Sequence, residues 1–245
     1  MAMSVTTRSR SRNRSSLRLL SEFQLLVDGW PIKLPHSVER VLAFLGISQA
    51  PVSRAHLAGS LWPDVADQRA HGDLRSALWR LRRIAGVIDE ENHRLALAPR
   101  VDVDVAEMTD LTRSLIAEPE SPALERVADL VRAHAILPGW DEEWLIVERE
   151  RYRMTRLRAL ELSGRALLAA GDYMGALGAA LASVDAEPYR ETAHRLVIQI
   201  HIAEGNTAQA IRAYQAYRSL VADELGIAPS PLMRDLVAPL SVTVS

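Results

Sequence analysis

Between residues 171 and 211 the chain repeats itself. Gly171-Asp172 recurs as Gly205-Asn206, and Ala176-Leu177 as Ala210-Ile211, each pair 34 residues apart. A repeat of this period builds two helices joined by a tight turn, and such a unit buries its apolar face only by stacking on its neighbours. This part of the chain is therefore committed to an array of antiparallel helices. The glycines serve the turns, and Ala176 and Ala210 are small where paired helices approach closely. The copies are degenerate, since Ile198 stands in the place of Gly164 and Ala222 in that of Pro188. Upstream, helices are expected over 103–115 and 123–134, followed by a long one capped by Asp141 that runs to Gly171. Glu142 and Glu143 suit the dipole of its first turn. Together these complete the array, with Trp140 and Trp144 as packing anchors and not ligand contacts.

The stretch 67–86, DQRAHGDLRSALWRLRRIAG, has a different character. At 3.6 residues per turn Leu74, Ala77, Leu78, Leu81 and Ala85 share one side, while Arg69, Ser76, Arg80 and Arg83 share the other with Gly72 between them. Arg75, Trp79 and Arg82 flank that polar face. Asp67 is the expected N-cap and Gly86 the expected C′ residue. Such a helix either buries one stripe and aims guanidinium groups at phosphates and base edges, or is an ordinary amphipathic helix with a solvated basic face.

Its neighbours decide between these readings. Residues 17–34 alternate like short strands, with Asp28-Gly29 as a hairpin turn and Pro31 at a sheet edge. A helix follows over 36–48, with Val38, Val41, Leu42 and Leu45 on its buried side, and Ser53 caps a second over 54–62. After the basic helix, Val87-Ile88 and 94–97 read as two strands joined by a polar loop over 89–93. Strands, two helices, a short turn, a basic helix and a hairpin make a winged helix-turn-helix.

Charge agrees with this order. Residues 1–100 carry 15 Arg and Lys against 9 Asp and Glu, a net +6, and residues 101–245 carry 14 against 22, a net −8. The first part suits a polyanion and the second does not. Residues 1–16, with Arg8, Arg10, Arg12 and Arg14 among polar neighbours, are expected as a disordered basic tail.

Other chemistries find little footing. The chain has no cysteine, so thiolate metal sites and cysteine nucleophiles are excluded. No apolar run nears the roughly 20 residues of a membrane span, and no apolar segment follows the N-terminal arginines as in a secretory signal. A cytoplasmic protein is the expectation. The sequence lacks GxxxxGK[ST], GxSxG and HExxH. His194 and His201 lie seven apart without a metal-site pattern. No catalytic, cofactor-binding or metal-binding residues are assigned.

The quoted residues also carry a family resemblance. LRLLSEFQLLVDGWPIKLP, SRAHLAGSLWPD and LRSALWRLRR resemble the OmpR-like winged-helix domain of the SARP-type bacterial transcriptional regulators. LPGWDEEWLIVERERY, GDYMGALGAALASVDAEPYRETAHRLV and YQAYRSLVADELGIAPSPLMRDL resemble the bacterial transcriptional activator domain that follows it in that family. The likeness covers roughly 17–236. It departs from the family at His71-Gly72-Asp73, at Trp79, where a smaller residue is usual, and at the acidic wing residues Asp89-Glu90-Glu91.

The expected fold is mainly α with a small β component, a winged helix-turn-helix over 17–100 followed by an all-α, tetratricopeptide-like repeat domain over 101–245. The candidate DNA-binding residues are Arg69, Arg75, Ser76, Arg80 and Arg83 on the basic helix, with His93 and Arg94 at the wing. The resemblance implies double-stranded DNA with direct-repeat sites, self-association on DNA, and RNA polymerase (the sigma or alpha subunit region) as partners. It also implies transcription activation, often specific to one pathway. The competing class is a repeat-type interaction scaffold that does not bind DNA specifically.

Overall fold

The computed structural model describes residues 15–84 and 86–241. The described residues form two compact units. The first comprises the chain up to Glu107 together with His134–Arg149, and the second Met108–Ala133 together with the chain from Glu150 on.

In the first unit, β1 (Ser15–Arg18), β2 (Gln24–Val27) and β3 (Trp30–Ile32) form an antiparallel meander. The β2–β3 turn places Asp28 at φ 51° and Gly29 at φ 84°. Left-handed conformation at both central residues matches the turn to strand twist, which is why an Asp-Gly pair sits there. β3 is an edge strand, as Pro31 requires. Helix α1 (His36–Ser48) lies against β1 so closely that a Cβ at Gly46 would come within 2.9 Å of the Leu17 side chain. Its core residues Val38, Val41, Leu42 and Leu45 are all buried. A two-residue strand β4 (Val52–Ser53) precedes α2 (Arg54–Leu61), whose first turn is capped by the Ser53 hydroxyl accepting from the His56 N–H at 3.2 Å.

Helix α3 (Asp67–Leu81) packs on α1 and α2 through Ala70, Leu74, Ala77, Leu78 and Leu81, all buried. The hairpin β5 (Ile88–Glu91) and β6 (Arg94–Leu97) follows, with β6 between β4 and β5 in a three-stranded sheet. Strand β7 (Val101–Val103) then runs parallel to β1 and completes the first sheet in the order β3-β2-β1-β7. At its end Asp104 accepts the backbone N–H groups of Leu19 and Leu20 at 2.9–3.0 Å. The segment 134–149 returns to this sheet. Leu137 donates its N–H to Leu19 O at 2.9 Å, Ser21 to Ala135 O at 3.0 Å, and Ile136 and Leu137 are buried.

The second unit holds the end of α4 (Asp104–Ala117), a 3-10 turn (Pro122–Arg126), α5 (Val127–Arg132) and most of α6 (Glu143–Ala169). It continues with α7 (Tyr173–Ala186), α8 (Glu191–Ala203), α9 (Thr207–Leu225) and α10 (Pro231–Val237). The repeat is realised as expected. Gly171 (φ 79°) and Gly205 (φ 81°) make the turns, Asp172 caps α7 by accepting the Gly175 N–H at 2.9 Å, and Ala176 and Ala210 are fully buried. A Cβ at Gly164 would reach 2.8 Å from a Leu196 methyl, so a larger residue there would push the Leu196 side chain aside. Ile198, Ala210, Tyr217, Val221, Met233 and Val237 form a core closing the C-terminal end. No described helix is long and apolar enough to cross a membrane.

Several local expectations are corrected. Ser15 and Ser16 are in β1, Ser15 buried, because they pair with Val27 and Leu26; the rest of the basic tail lies outside the described residues, as does Ala85. Ala66, not Asp67, occupies the N-cap of α3, and Asp67 is its first helical residue. That helix ends at Leu81, so Gly86 caps nothing. Gly86 has φ 76°, its carbonyl accepts from Arg100 Nε at 2.7 Å, and the space a Cβ would need is filled by that guanidinium. The wing strands extend through the acidic residues, leaving a turn of only Asn92 and His93. Helix α6 starts at Glu143, two residues beyond Asp141. Strand β7, just beyond residue 100, pairs within the sheet of the first unit.

Candidate nucleic-acid interface

Helix α3 is the second helix of the helix-turn-helix, with its apolar stripe in the core. The opposite face is a row spaced i, i+4, i+7: Gly72, Ser76 and Trp79, with Arg83 in the turn that follows. Arg69 and Arg80 line one side of the row and Arg75 the other. All of Arg69, Arg75, Ser76, Arg80 and Arg83 are exposed. Arg69, Arg75 and Arg80 make no ion pair among the described residues, so their guanidinium groups are available to phosphates or base edges. Arg83 lies beyond the α-helical part, its N–H donating to Arg80 O at 3.2 Å, and its guanidinium carbon sits 5.5 Å from the centroid of the Trp79 ring. Ser76 spends its hydroxyl proton on Gly72 O at 3.1 Å, which leaves it only acceptor capacity toward a ligand.

Trp79, placed on the flank by its spacing, belongs to the centre of this face. It is 62% exposed, against the burial usual for tryptophan. Its position follows from the burial of Leu74, Leu78 and Leu81, which fixes the rotation of the helix.

The wing tip presents the other two candidates. Asn92 (φ 50°) and His93 (φ 61°) form its two-residue turn, and His93 and Arg94 are exposed. Arg94 Nη1 lies 3.4 Å from Pro51 O, a long contact that ties the turn end of the hairpin to the segment leading into β4. The acidic wing is partly neutralised from within. Glu90 pairs across from buried Leu95 and so faces the helices, where Arg54 binds it through Nε at 3.0 Å and Nη2 at 2.8 Å, with Arg82 at 3.4 Å. The Arg54 hydrogen bonds hold its carboxyl below the usual carboxylate range. Alternation along β5 turns Asp89 and Glu91 outward, where they stay exposed. Nothing in the sequence pairs Arg54 with Glu90, 36 residues away; only the short β4–β6 pairing brings them together.

His194, on the repeat helix α8, has structural surroundings. His194 packs against the Tyr217 ring with centroids 4.4 Å apart and its Nε2 lies 2.8 Å from Pro188 O. Among the described residues no group of three His, Cys, Asp or Glu is arranged to hold a metal ion. Trp140 and Trp144 are packing residues of the first unit. Trp140 stacks on Phe23 at 5.9 Å and meets His36 edge-on at 4.6 Å, and Trp144 lies 5.0 Å from Phe44.

Comparison with known proteins agrees with this architecture. The chain is 28% identical over 192 residues to the regulatory protein AfsR of Streptomyces coelicolor, covering 74% of this chain and 19% of that protein. It is 26% identical over 241 residues to the transcriptional regulatory protein EmbR of Mycobacterium tuberculosis, covering 91% of this chain and 62% of that one. It thus spans only part of the curated relatives it matches. A solved structure of Mycobacterium tuberculosis EmbR in complex with a low-affinity phosphopeptide superposes with a TM-score of 0.74 at 22% identity, over 94% of this chain and 65% of that one, which establishes the shared fold. Residues 101–240, more than half of the chain, match the model of the bacterial transcriptional activator domain. With a winged helix-turn-helix ahead of that region, the chain belongs to the bacterial transcriptional activator domain family, in the SARP-type arrangement.

Proposed function

We propose that this chain is a sequence-specific, double-stranded DNA-binding transcriptional activator acting in the cytoplasm. In this reading α3 enters the major groove, Arg69, Arg75, Ser76, Arg80 and Arg83 meet phosphates and base edges, and His93 and Arg94 reach the DNA from the wing. The observation that carries it is the set of unpaired, exposed guanidinium groups opposite the buried stripe of α3. A basic helix so placed in a helix-turn-helix is built for a polyanion. The activator-domain region, with its net −8, is unsuited to DNA, so a protein contact is its natural role. We assign that contact to RNA polymerase, at the sigma or alpha subunit region.

Two copies are expected side by side on direct repeats. Presenting α3 to the same side of the duplex requires half-sites about one helical turn apart, roughly 10–11 base pairs. Footprinting on a selected site should show that period, and an inverted repeat would contradict the arrangement. The central experiment is a gel-shift titration of the full chain and its Arg80→Ala/Arg83→Ala variant. The variant should lose roughly 10-fold or more in affinity, with a shallower salt dependence if a phosphate contact has gone. Unchanged affinity in the folded variant would remove these residues from the interface. Absence of specific binding by the unaltered chain would favour the scaffold reading.

A further inference from the structure

The row at the centre of the exposed α3 face offers few side-chain hydrogen-bond donors besides the Trp79 indole N–H. Gly72 has no side chain, and only an Arg75 guanidinium nitrogen, at 3.7 Å, approaches the space a Cβ would occupy. The Ser76 proton is committed to Gly72 O. What projects from the C-terminal end of the row, two residues before the helix ends, is the Trp79 indole, 62% exposed, with the Arg83 guanidinium over its ring and Arg75 and Arg80 to either side. Arginine forks can read guanine, but they stand at the margins of the row, where phosphates run. In the floor of the major groove the one apolar feature is the C5-methyl group of thymine. A broad apolar ring carried on the exposed face of a basic helix is matched to that group. An unmet indole on a protein surface is otherwise an apolar liability.

Resting on the DNA-binding reading above, we infer that Trp79 is a specificity-determining residue that selects thymine, through its C5-methyl group, at one position of each half-site. The Arg83 guanidinium, 5.5 Å from the ring centroid, holds the indole by a cation–π contact in the orientation it needs. A protein partner on the same ring would have to accept the surrounding positive charge of Arg75, Arg80 and Arg83. A duplex meets that charge with its two phosphate rails, so the observations favour DNA.

The test first selects a binding site for the full chain from a random duplex pool. Each thymine in the selected site is then replaced singly by deoxyuridine, which removes only the methyl group and leaves Watson–Crick pairing intact. Affinity is measured for the unaltered chain, Trp79→Ala and Trp79→Phe. The expected result is one position per half-site at which deoxyuridine weakens binding by the unaltered chain roughly 5- to 10-fold. Trp79→Ala should show no loss at that position, and Trp79→Phe an intermediate one. Binding by the unaltered chain that is indifferent to every deoxyuridine overturns the inference while leaving DNA binding intact. So does a methyl effect that persists undiminished in Trp79→Ala. Full DNA affinity and unchanged site preference in Trp79→Ala would give the ring to a protein partner instead. Failure of the pool to yield any site would overturn the DNA-binding reading itself.

Discussion

His93 sits at φ 61° and Asn92 at φ 50° in the two-residue wing turn. Left-handed backbone suits asparagine and glycine, whereas for other L-residues it costs about 1–2 kcal/mol. Glycine at the second position would make the common, relaxed version of this turn. The chain instead keeps a histidine whose ring is exposed at the wing tip. On the DNA-binding proposal, the exposed His93 ring at this left-handed position is a DNA contact. His93→Gly is therefore expected to leave stability within about 1 kcal/mol, since relief of strain offsets the added freedom of the unfolded chain. DNA affinity should fall several-fold. Urea denaturation and gel shift on the same protein check both, and a large loss of stability with unchanged affinity would show that His93 supports the fold. The candidate residues of α3 were legible because helical periodicity separates the Leu74/Leu78/Leu81 stripe from the arginines. The central position of Trp79 was less so, because the helix ends at Leu81 and its rotation is set by tertiary packing.

At the scale of elements, helices were easier to read than strands. Helices α1 and α2 have an apolar stripe and a following proline in sequence and α3 has its stripe, but β4 has two residues and β7 three, too few for any alternation to register. β5 contains Asp89, Glu90 and Glu91, poor strand formers that are held by pairing with β6 and by Arg54. In the helical repeat the hidden element is ionic. Glu161 is 1% exposed on α6, paired with Arg190 at the start of α8 and accepting the Thr192 hydroxyl at 2.6 Å. Burial opposes its charge, yet the Arg190 and Thr192 hydrogen bonds and the Arg190 and Arg165 charges hold its carboxyl below the usual range. His194 is lowered as well, because burial disfavours its charged form. Both depressions mean that the unfolded chain takes up protons first as pH falls. The His194 contribution to stability fades below about pH 6.5, and that of Glu161 below about pH 4.3. Glu161→Gln leaves Arg190 without its counter-charge and should cost about 2–3 kcal/mol at pH 7. The gap in denaturation midpoint between the variant and the unaltered chain should hold from pH 7 to about pH 5 and narrow progressively as pH is lowered below about 4.3 through the depressed folded-state pKa, and a gap that never narrows would show that the Glu161 charge contributes nothing.

For the whole molecule, the change of composition near residue 100 was visible, but the compact units divide the chain elsewhere. Sequence cannot show that 134–149 returns to the first sheet, because that depends on pairings over more than 100 residues. Leu137 N–H reaches Leu19 O, Trp140 covers Phe23, Trp144 lies on Phe44, and Arg40 ion-pairs with Glu142, its Nη2 donating to the carboxylate at 2.8 Å. Arg149 closes this segment by donating to Ile136 O at 2.7 Å and Trp140 O at 2.8 Å. A fragment ending at residue 100 would retain every candidate DNA-binding residue and lose all of these contacts. It would also lose β7 and the Asp104 carboxylate that accepts the Leu19 and Leu20 N–H groups. The lost contacts include two half-buried tryptophans and the buried Ile136 and Leu137, and a whole domain has only about 5–15 kcal/mol of stability. Residues 1–100 are thus expected to lack cooperative thermal unfolding and to bind DNA weakly for want of a fold, not for want of a contact residue. The full chain carrying Glu142→Ala separates the two causes. It keeps α3 and the wing intact, and should melt lower because Arg40 loses its partner while retaining the DNA affinity of the unaltered chain at a temperature where both are folded. Cooperative melting of residues 1–100 with undiminished DNA affinity would show that the winged helix is autonomous and that 134–149 only rests upon it.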